Sequence, residues 1–298
     1  MSSGLNVAMN RLRGQILADE YCEALVEDMT EQAAATNTTY NRNVYSRVAN
    51  LITAGAKRYT NGSHLYWFVD GVVPDPAAVD VPTIQSKIDT FLATPNAYPL
   101  MVNIEAWNLT TEATYDKAIA DITLCASMWR DQTSLETGFW SLVPHYTFTD
   151  TINLATAIGA SDKFNTAKYR ARLSNRMVTY TNRFANDLLP YADFLLPYCY
   201  QTDSYTIAQW KWFCAEQILE ALRVADGRPV YPIVWDHTMG VGFPAFSEAD
   251  FRDMLQFAAS FPGIAGVYMW EGTEDRPAYY ETVVTELLAG TGDFPDPE

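Results

Sequence analysis

Five stretches of this chain are hydrophobic along nearly their whole length, and each ends in polar or aromatic residues: 98–105 (YPLMVNIE), 138–144 (GFWSLVP), 192–200 (ADFLLPYCY), 229–236 (PVYPIVWD) and 263–271 (GIAGVYMWE). A strand with one wet face alternates apolar and polar residues. These runs do not alternate, so both of their faces must be covered, the condition of a parallel sheet flanked by helices. Residues 64–70 (HLYWFVD) make a sixth such run and 5–9 (LNVAM) a short seventh. Helical spacing of apolar residues fills the intervals, at 14–36, 44–56, 112–130, 162–187, 206–225, 247–260 and 276–289. Ser247 followed by Asp250 reads as the start of one of these helices, because a hydroxyl can accept the orphan N–H three residues on.

Strand and helix in alternation predict an α/β fold, namely a TIM-like (β/α) barrel of seven or eight parallel strands with additional N-terminal helices. The chain has 298 residues, and such barrels run to about 250 residues before insertions. No Pro/Gly/Ser-rich linker or internal duplication divides it. The expected organisation is one domain over 1–298, with an N-terminal helical portion at 1–60, the main barrel at 61–290 and a tail at 291–298.

Charge narrows the partners. Acidic residues number 36 against 20 basic ones, a formal net charge of −16, which repels polyphosphates and anionic headgroups within a Debye length. Nucleic acid and membrane partners are therefore not expected, and a ligand of low charge is. No apolar run approaches the length of about 20 residues that spans a bilayer, and the N-terminus lacks an apolar leader-like stretch. The expectation is a soluble chain without signal peptide or transmembrane segment, its compartment unknown. The cysteines at 22, 125, 199 and 214 lack C-x-x-C spacing and read as buried thiols, with disulfide pairing the alternative for an exported protein. The three histidines, 64, 145 and 237, lack ligand spacing, so neither a metal nor another cofactor is expected.

In a parallel barrel the functional groups gather at the C-terminal strand ends. Those ends carry Asp70; Asn103, Glu105 and Trp107; His145 and Tyr146; Tyr198 and Tyr200; Trp235, Asp236 and His237; and Trp270 with Glu271. Aromatic faces beside carboxylates and amides suit a sugar, whose C–H faces pack on rings while its hydroxyls require directional partners. Asn103 and Glu105 are two apart on a strand, so their side chains share a face, separated by roughly 6.5–7 Å. Desolvation beside Trp107 would favour the neutral form of Glu105, as a general acid requires. Trp140, Trp210 and Trp212 read instead as core. Asp236 reads rather as a helix N-cap or loop residue than as a catalytic one, and Glu271, followed by Glu274 and Asp275, as part of a solvated acidic loop.

The order of strand endings over about residues 64–275 resembles the hyaluronidase family of glycoside hydrolases. That family has a strand ending in Asp-x-Glu followed by Trp, a later Leu-Leu-Pro-x-x-Tyr strand and a last strand ending in Trp. Here Asn103-Ile-Glu105-Ala-Trp107, Leu195-Leu-Pro-Tyr-Cys-Tyr200 and Val267-Tyr-Met-Trp270 look like these. The resemblance implies Glu105 as the acid, with Tyr200 and Trp270 lining the subsite of the reacting sugar. Asn103 departs from the family's Asp. Asn-Ile-Glu at a strand end is similar, however, to the motif of endo-β-N-acetylglucosaminidases, in which Asn orients the substrate's acetamido group. The implied activity is substrate-assisted cleavage of an N-acetylhexosamine-containing glycan. Tyr146, Trp107, Asp70, Trp235, Asp236 and Glu271 are further candidates for sugar contact. Two other readings compete: a two-carboxylate glycosidase pairing Glu105 with Asp236 or Glu271, and a carbohydrate-binding barrel without turnover.

Overall fold

The computed structural model describes residues 40–58, 81–93, 100–102, 112–140, 182, 185–200, 207–238, 242–271 and 276–294. Strands and helices alternate through them. In chain order they are β1 (Val44–Ser46), α1 (Ala49–Thr53), β2 (Lys57–Arg58), α2 (Val81–Leu92), β3 (Leu100–Val102), α3 (Glu112–Gln132), β4 (Thr137–Trp140), β5 (Phe194–Leu196), α4 (Ile207–Val224), β6 (Ile233–Trp235), α5 (Glu248–Ser260), β7 (Val267–Trp270) and α6 (Tyr280–Ala289).

All strand pairs among the described residues are parallel. One sheet has the order β2-β1-β7-β6 and the other β3-β4-β5. Parallel bridges Leu195↔Val230 and Tyr198↔Ile233 join β5 to β6, so the strands form one series, β2-β1-β7-β6-β5-β4-β3. The last strand thus lies against the first, with Val44 opposite Val267 and Tyr45 opposite Tyr268. Gly266 permits that approach. A Cβ there would stand 2.0 Å from the Asn43 carbonyl oxygen, whereas glycine leaves room for the Val267 N–H to donate to it at 2.8 Å.

Residues 44–56, expected as one helix, instead form β1 and the five-residue α1, and β2 follows directly. Val44, Tyr45 and Ser46 are β-compatible residues whose fate is set by hydrogen bonds to distant strands, which local spacing does not reveal. Helix α2 lies in a segment for which no helix was expected. Its Ile84 and Ile88 are fully buried at i, i+4 spacing, and Pro82 sits in the first turn, where its missing N–H does no harm.

Two apolar layers cover one face of the strands. Ile84, Ile88, Ile119, Ile122 and Trp129 from α2 and α3 pack with Phe139, Leu195 and Val230. Trp210, Cys214 and Ile218 of α4, Phe251, Met254 and Leu255 of α5, and Val283, Val284 and Leu287 of α6 pack with Val44, Val234, Val267 and Met269. Each such side chain contributes about 1.5–3 kcal/mol on burial. Trp210 is core, as expected, while the side chains of Trp140 and Trp212 lie outside the described residues. Cys125, Cys199 and Cys214 are buried thiols, and burial pushes Cys199 well up from its ordinary pKa. Ser247 caps α5, its Oγ accepting the Asp250 N–H at 3.1 Å.

The opposite face is aromatic. Tyr45, Phe194, Tyr231 and Tyr268 are all buried there. The Tyr45 ring lies 5.0 Å from Tyr231 at 85° and 6.4 Å from Phe194, between centroids. Strands β1 and β5 are three intervals apart, about 14 Å in a flat sheet. Side chains stand roughly perpendicular to a sheet, so rings on strands so far apart meet where the sheet curls toward this face. Gly138 makes space for the curl: a Cβ would stand 2.1 Å from the Phe194 ring.

Candidate functional site

Strand parity determines which side chains meet at the C-terminal ends. Along β6 and its flanks, Val230 and Val234 face the helices, which leaves Tyr231, Ile233, Trp235 and His237 on the aromatic face. Along β7, Val267 and Met269 face the helices and Tyr268 and Trp270 do not. Beyond β5, Tyr198 and Tyr200 continue the parity of Phe194 and Leu196. The result is a continuous wall. Ring centroids are 4.4 Å apart for Tyr198–Tyr200, 5.5 Å for Tyr200–Trp235, 6.3 Å for Tyr200–Trp270 and 5.5 Å for Trp235–His237.

Trp235 and Asp236 carry buried polar atoms that the described residues leave without hydrogen bonds, Nε1 of the indole and Oδ2 of the carboxylate. Buried polar groups are nearly always satisfied, so each such atom calls for a partner. The other carboxylate oxygen, Oδ1, lies 2.7 Å from Nδ1 of His237. Burial raises the Asp236 pKa above the ordinary aspartate value, opposed by the His237 hydrogen bond and charge and by the Arg276 charge. Tyr279, pushed up to about 12 by burial and the Asp236 charge, donates its hydroxyl to the Phe246 carbonyl.

Glu271 is not in a solvated loop. It is only 2% exposed. Its Oε1 accepts from Ser46 Oγ at 2.5 Å and Tyr280 Oη at 2.8 Å, and its Oε2 accepts the Arg47 N–H at 2.7 Å. Burial raises its pKa, and those three hydrogen bonds oppose the rise. Its parity is that of Val267 and Met269, and its partners come from β1 and α6. This carboxylate ties the first strand, the last strand and the last helix together on the side away from Trp270. The acidic neighbours Glu274 and Asp275 made the segment look hydrated; the three donors that bury Glu271 lie at positions 46, 47 and 280, mostly remote in sequence.

Of the residues singled out in the sequence, Tyr200, Trp235 and Trp270 come together in the wall. Asp236 flanks it. Asn103, Glu105, Trp107, Asp70 and Tyr146 lie outside the described residues. His237, named in the sequence among the strand ends, joins the wall, tilted 33° to Trp235. One side chain at this end was not singled out: Phe243 lies 5.5 Å from Trp235 and had no signal in periodicity, because it sits on a loop. Among the described residues no group of three or more His, Cys, Asp or Glu side chains is gathered as a metal site would need, and no helix is long and apolar enough to cross a membrane.

No family model and no curated protein matches the chain. Among solved structures it is similar to bee venom hyaluronidase in a monoclinic crystal form, at 12% identity over 69% of this chain and 73% of that one, with a TM-score of 0.49. It is also similar to bee venom hyaluronidase in complex with a hyaluronic acid tetramer, at 13% identity, 61% and 64% coverage and a TM-score of 0.42.

Proposed function

We propose that the chain is a glycoside hydrolase, hyaluronidase-like in its motifs, built as a single TIM-like (β/α) barrel of seven or eight strands. The barrel reading draws on the strand series β2-β1-β7-β6-β5-β4-β3, with β7 against β1, and on the Tyr45–Phe194 contact across the curl. The observation that carries the sugar reading is the wall of Tyr198, Tyr200, Trp235 and Trp270 at the C-terminal strand ends. It offers ring faces for C–H packing, together with a buried indole N–H in want of an oxygen.

In this mechanism the substrate is an N-acetylhexosamine-containing glycan of low charge. Asn103 orients the 2-acetamido group so that its carbonyl oxygen attacks the anomeric carbon. Glu105 donates its proton to the departing glycosidic oxygen, and the C–O bond breaks. Water then attacks the cyclic oxazolinium intermediate while Glu105 takes back a proton, which restores the acid. Tyr200 and Trp270 enclose the reacting sugar. No metal or cofactor enters any step.

Release of reducing ends from a panel of N-acetylglucosamine- and N-acetylgalactosamine-containing glycans tests this reading. Glu105→Gln and Asn103→Ala should each lose about 100-fold or more in kcat. A native protein that binds glycans on the panel and cleaves none would establish the carbohydrate-binding barrel instead.

A two-carboxylate mechanism is the second reading, and Asp236 is its stronger partner for Glu105. Asp236 has an oxygen without a hydrogen bond among the described residues and a raised pKa, whereas Glu271 is committed to Ser46, Arg47 and Tyr280. Loss of turnover in Glu105→Gln and Asp236→Asn together, with Asn103→Ala active, would select it.

A further inference from the structure

The loop after β6 carries a feature that the reaction above does not use. His237 pairs with Ala245 in an antiparallel bridge, Thr238 N–H donates to the Pro244 carbonyl at 2.9 Å, and Phe246 N–H donates to the Asp236 carbonyl at 3.0 Å. These bonds clamp the two stems of the loop at the rim of the wall. Between the stems stands Phe243, which is 42% exposed. Its backbone has φ 44°, in the left-handed region where a bulky residue is an outlier. Solvent exposure of a large ring and an unfavourable φ at the same position together disfavour phenylalanine unless the ring has something to bind.

Its setting identifies what that is. The Phe243 ring lies 5.5 Å from Trp235 at 49°, so the wall continues outward from Trp270 and Tyr200 through Trp235 to Phe243. Its outer member is open to solvent: Tyr200 is 5% and Trp235 3% exposed, against 42% for Phe243. The same Trp235 ring bears the buried Nε1–H that has no acceptor among the described residues. A ligand filling the wall would supply an oxygen to Trp235 and, one unit further out, an apolar face to Phe243. A linear chain of uncharged pyranose rings has that alternation of hydroxyl edges and C–H faces.

We propose that Phe243 is a specificity-determining residue, an aromatic platform for a sugar unit flanking the reacting one, through which the site selects longer oligosaccharides. This inference rests on the glycan reading above. It predicts a length-dependent effect. With N-acetylglucosamine oligomers from the disaccharide to the hexasaccharide, Phe243→Ala should raise KM about 3- to 10-fold for the longer oligomers. It should leave the shortest substrate and kcat unchanged. Phe243→Trp should retain the native length preference. Phe243→Gly should lose it just as Phe243→Ala does while unfolding at a higher temperature, because glycine relieves the φ.

Calorimetric titration of the same oligomers into native and variant protein accompanies the kinetics. If Phe243→Ala matches the native protein at every length while native protein binds or cleaves the series, the platform is overturned and the glycan reading stands. If native protein neither binds nor cleaves any oligomer on the N-acetylhexosamine panel, both fall together.

Discussion

The two ends of the strand bundle are both aromatic, yet they are finished differently. At the N-terminal end, Tyr231 meets Tyr45 and Phe194 edge to face while Tyr45 and Phe194 lie nearly parallel, with centroids 5.0–6.4 Å apart, and the Lys57 ammonium lies 5.4 Å from the Tyr45 centroid and 5.8 Å from that of Tyr231. At the C-terminal end, Trp235 and Asp236 hold buried polar atoms without hydrogen bonds among the described residues, and Phe243 stands exposed beyond them. Rings packed against one another serve the core, whereas buried polar atoms left unsatisfied call for a partner. On the reading proposed above, one end of the same set of strands serves stability and the other a ligand.

The sharpest way to break that contrast is Phe194→Ala, which removes a ring from the packed end. It should cost about 3–5 kcal/mol, read by denaturant unfolding, while KM in the folded fraction stays at the native value. A changed KM would show that the two ends are not separate. Next in size is Glu271→Ala, which strands Ser46 Oγ, the Arg47 N–H and Tyr280 Oη. The expected loss is about 3 kcal/mol in unfolding free energy, and an unaltered melting temperature would refute its role as a tie.

Gly138→Ala pushes a methyl group into the Phe194 ring and should cost about 1–3 kcal/mol. Smallest, and of a different kind, is Asp236→Asn. Because burial raises the Asp236 pKa, the folded protein holds that proton to higher pH than the unfolded chain does. The associated stability is complete below the ordinary aspartate pKa and is lost as pH rises through the folded value. Asparagine removes this dependence, so the variant should equal or exceed the native protein by about 1 kcal/mol at neutral pH and lose the advantage in acid. Melting temperatures from acid to neutral pH would check the sign.

How much of this was legible in the sequence differs by region for a physical reason. The runs at 98–105, 138–144, 192–200, 229–236 and 263–271 each contain or abut an observed strand, because burial on both faces leaves a local mark. The Ser247 cap was equally local. The segment 44–56 misled because a three-residue strand carries too few side chains to show a period, and its partners lie at 57–58 and 267–268. Glu271 misled for a related reason: its neighbours in sequence are acidic, while its neighbours in space are two hydroxyls and a backbone N–H. In the candidate site, Tyr200, Trp235 and Trp270 were readable as strand endings. Phe243 was not, since a loop has no repeat to betray which residue it presents.

The pairing of β1 with β7 bears on how the chain can be made. On one flank β1 pairs at once with β2, but on the other Val44 and Tyr45 wait for Val267 and Tyr268, and the carboxylate that bonds Ser46 arrives later still, at Glu271. A ribosome working from the N-terminus therefore releases β1 with one flank open until more than two hundred further residues have followed. Through that interval an unpaired strand edge is available to other nascent chains. Final consolidation of this fold thus waits until β7 has been made, and contacts of such long range make it slow relative to helical proteins of similar stability.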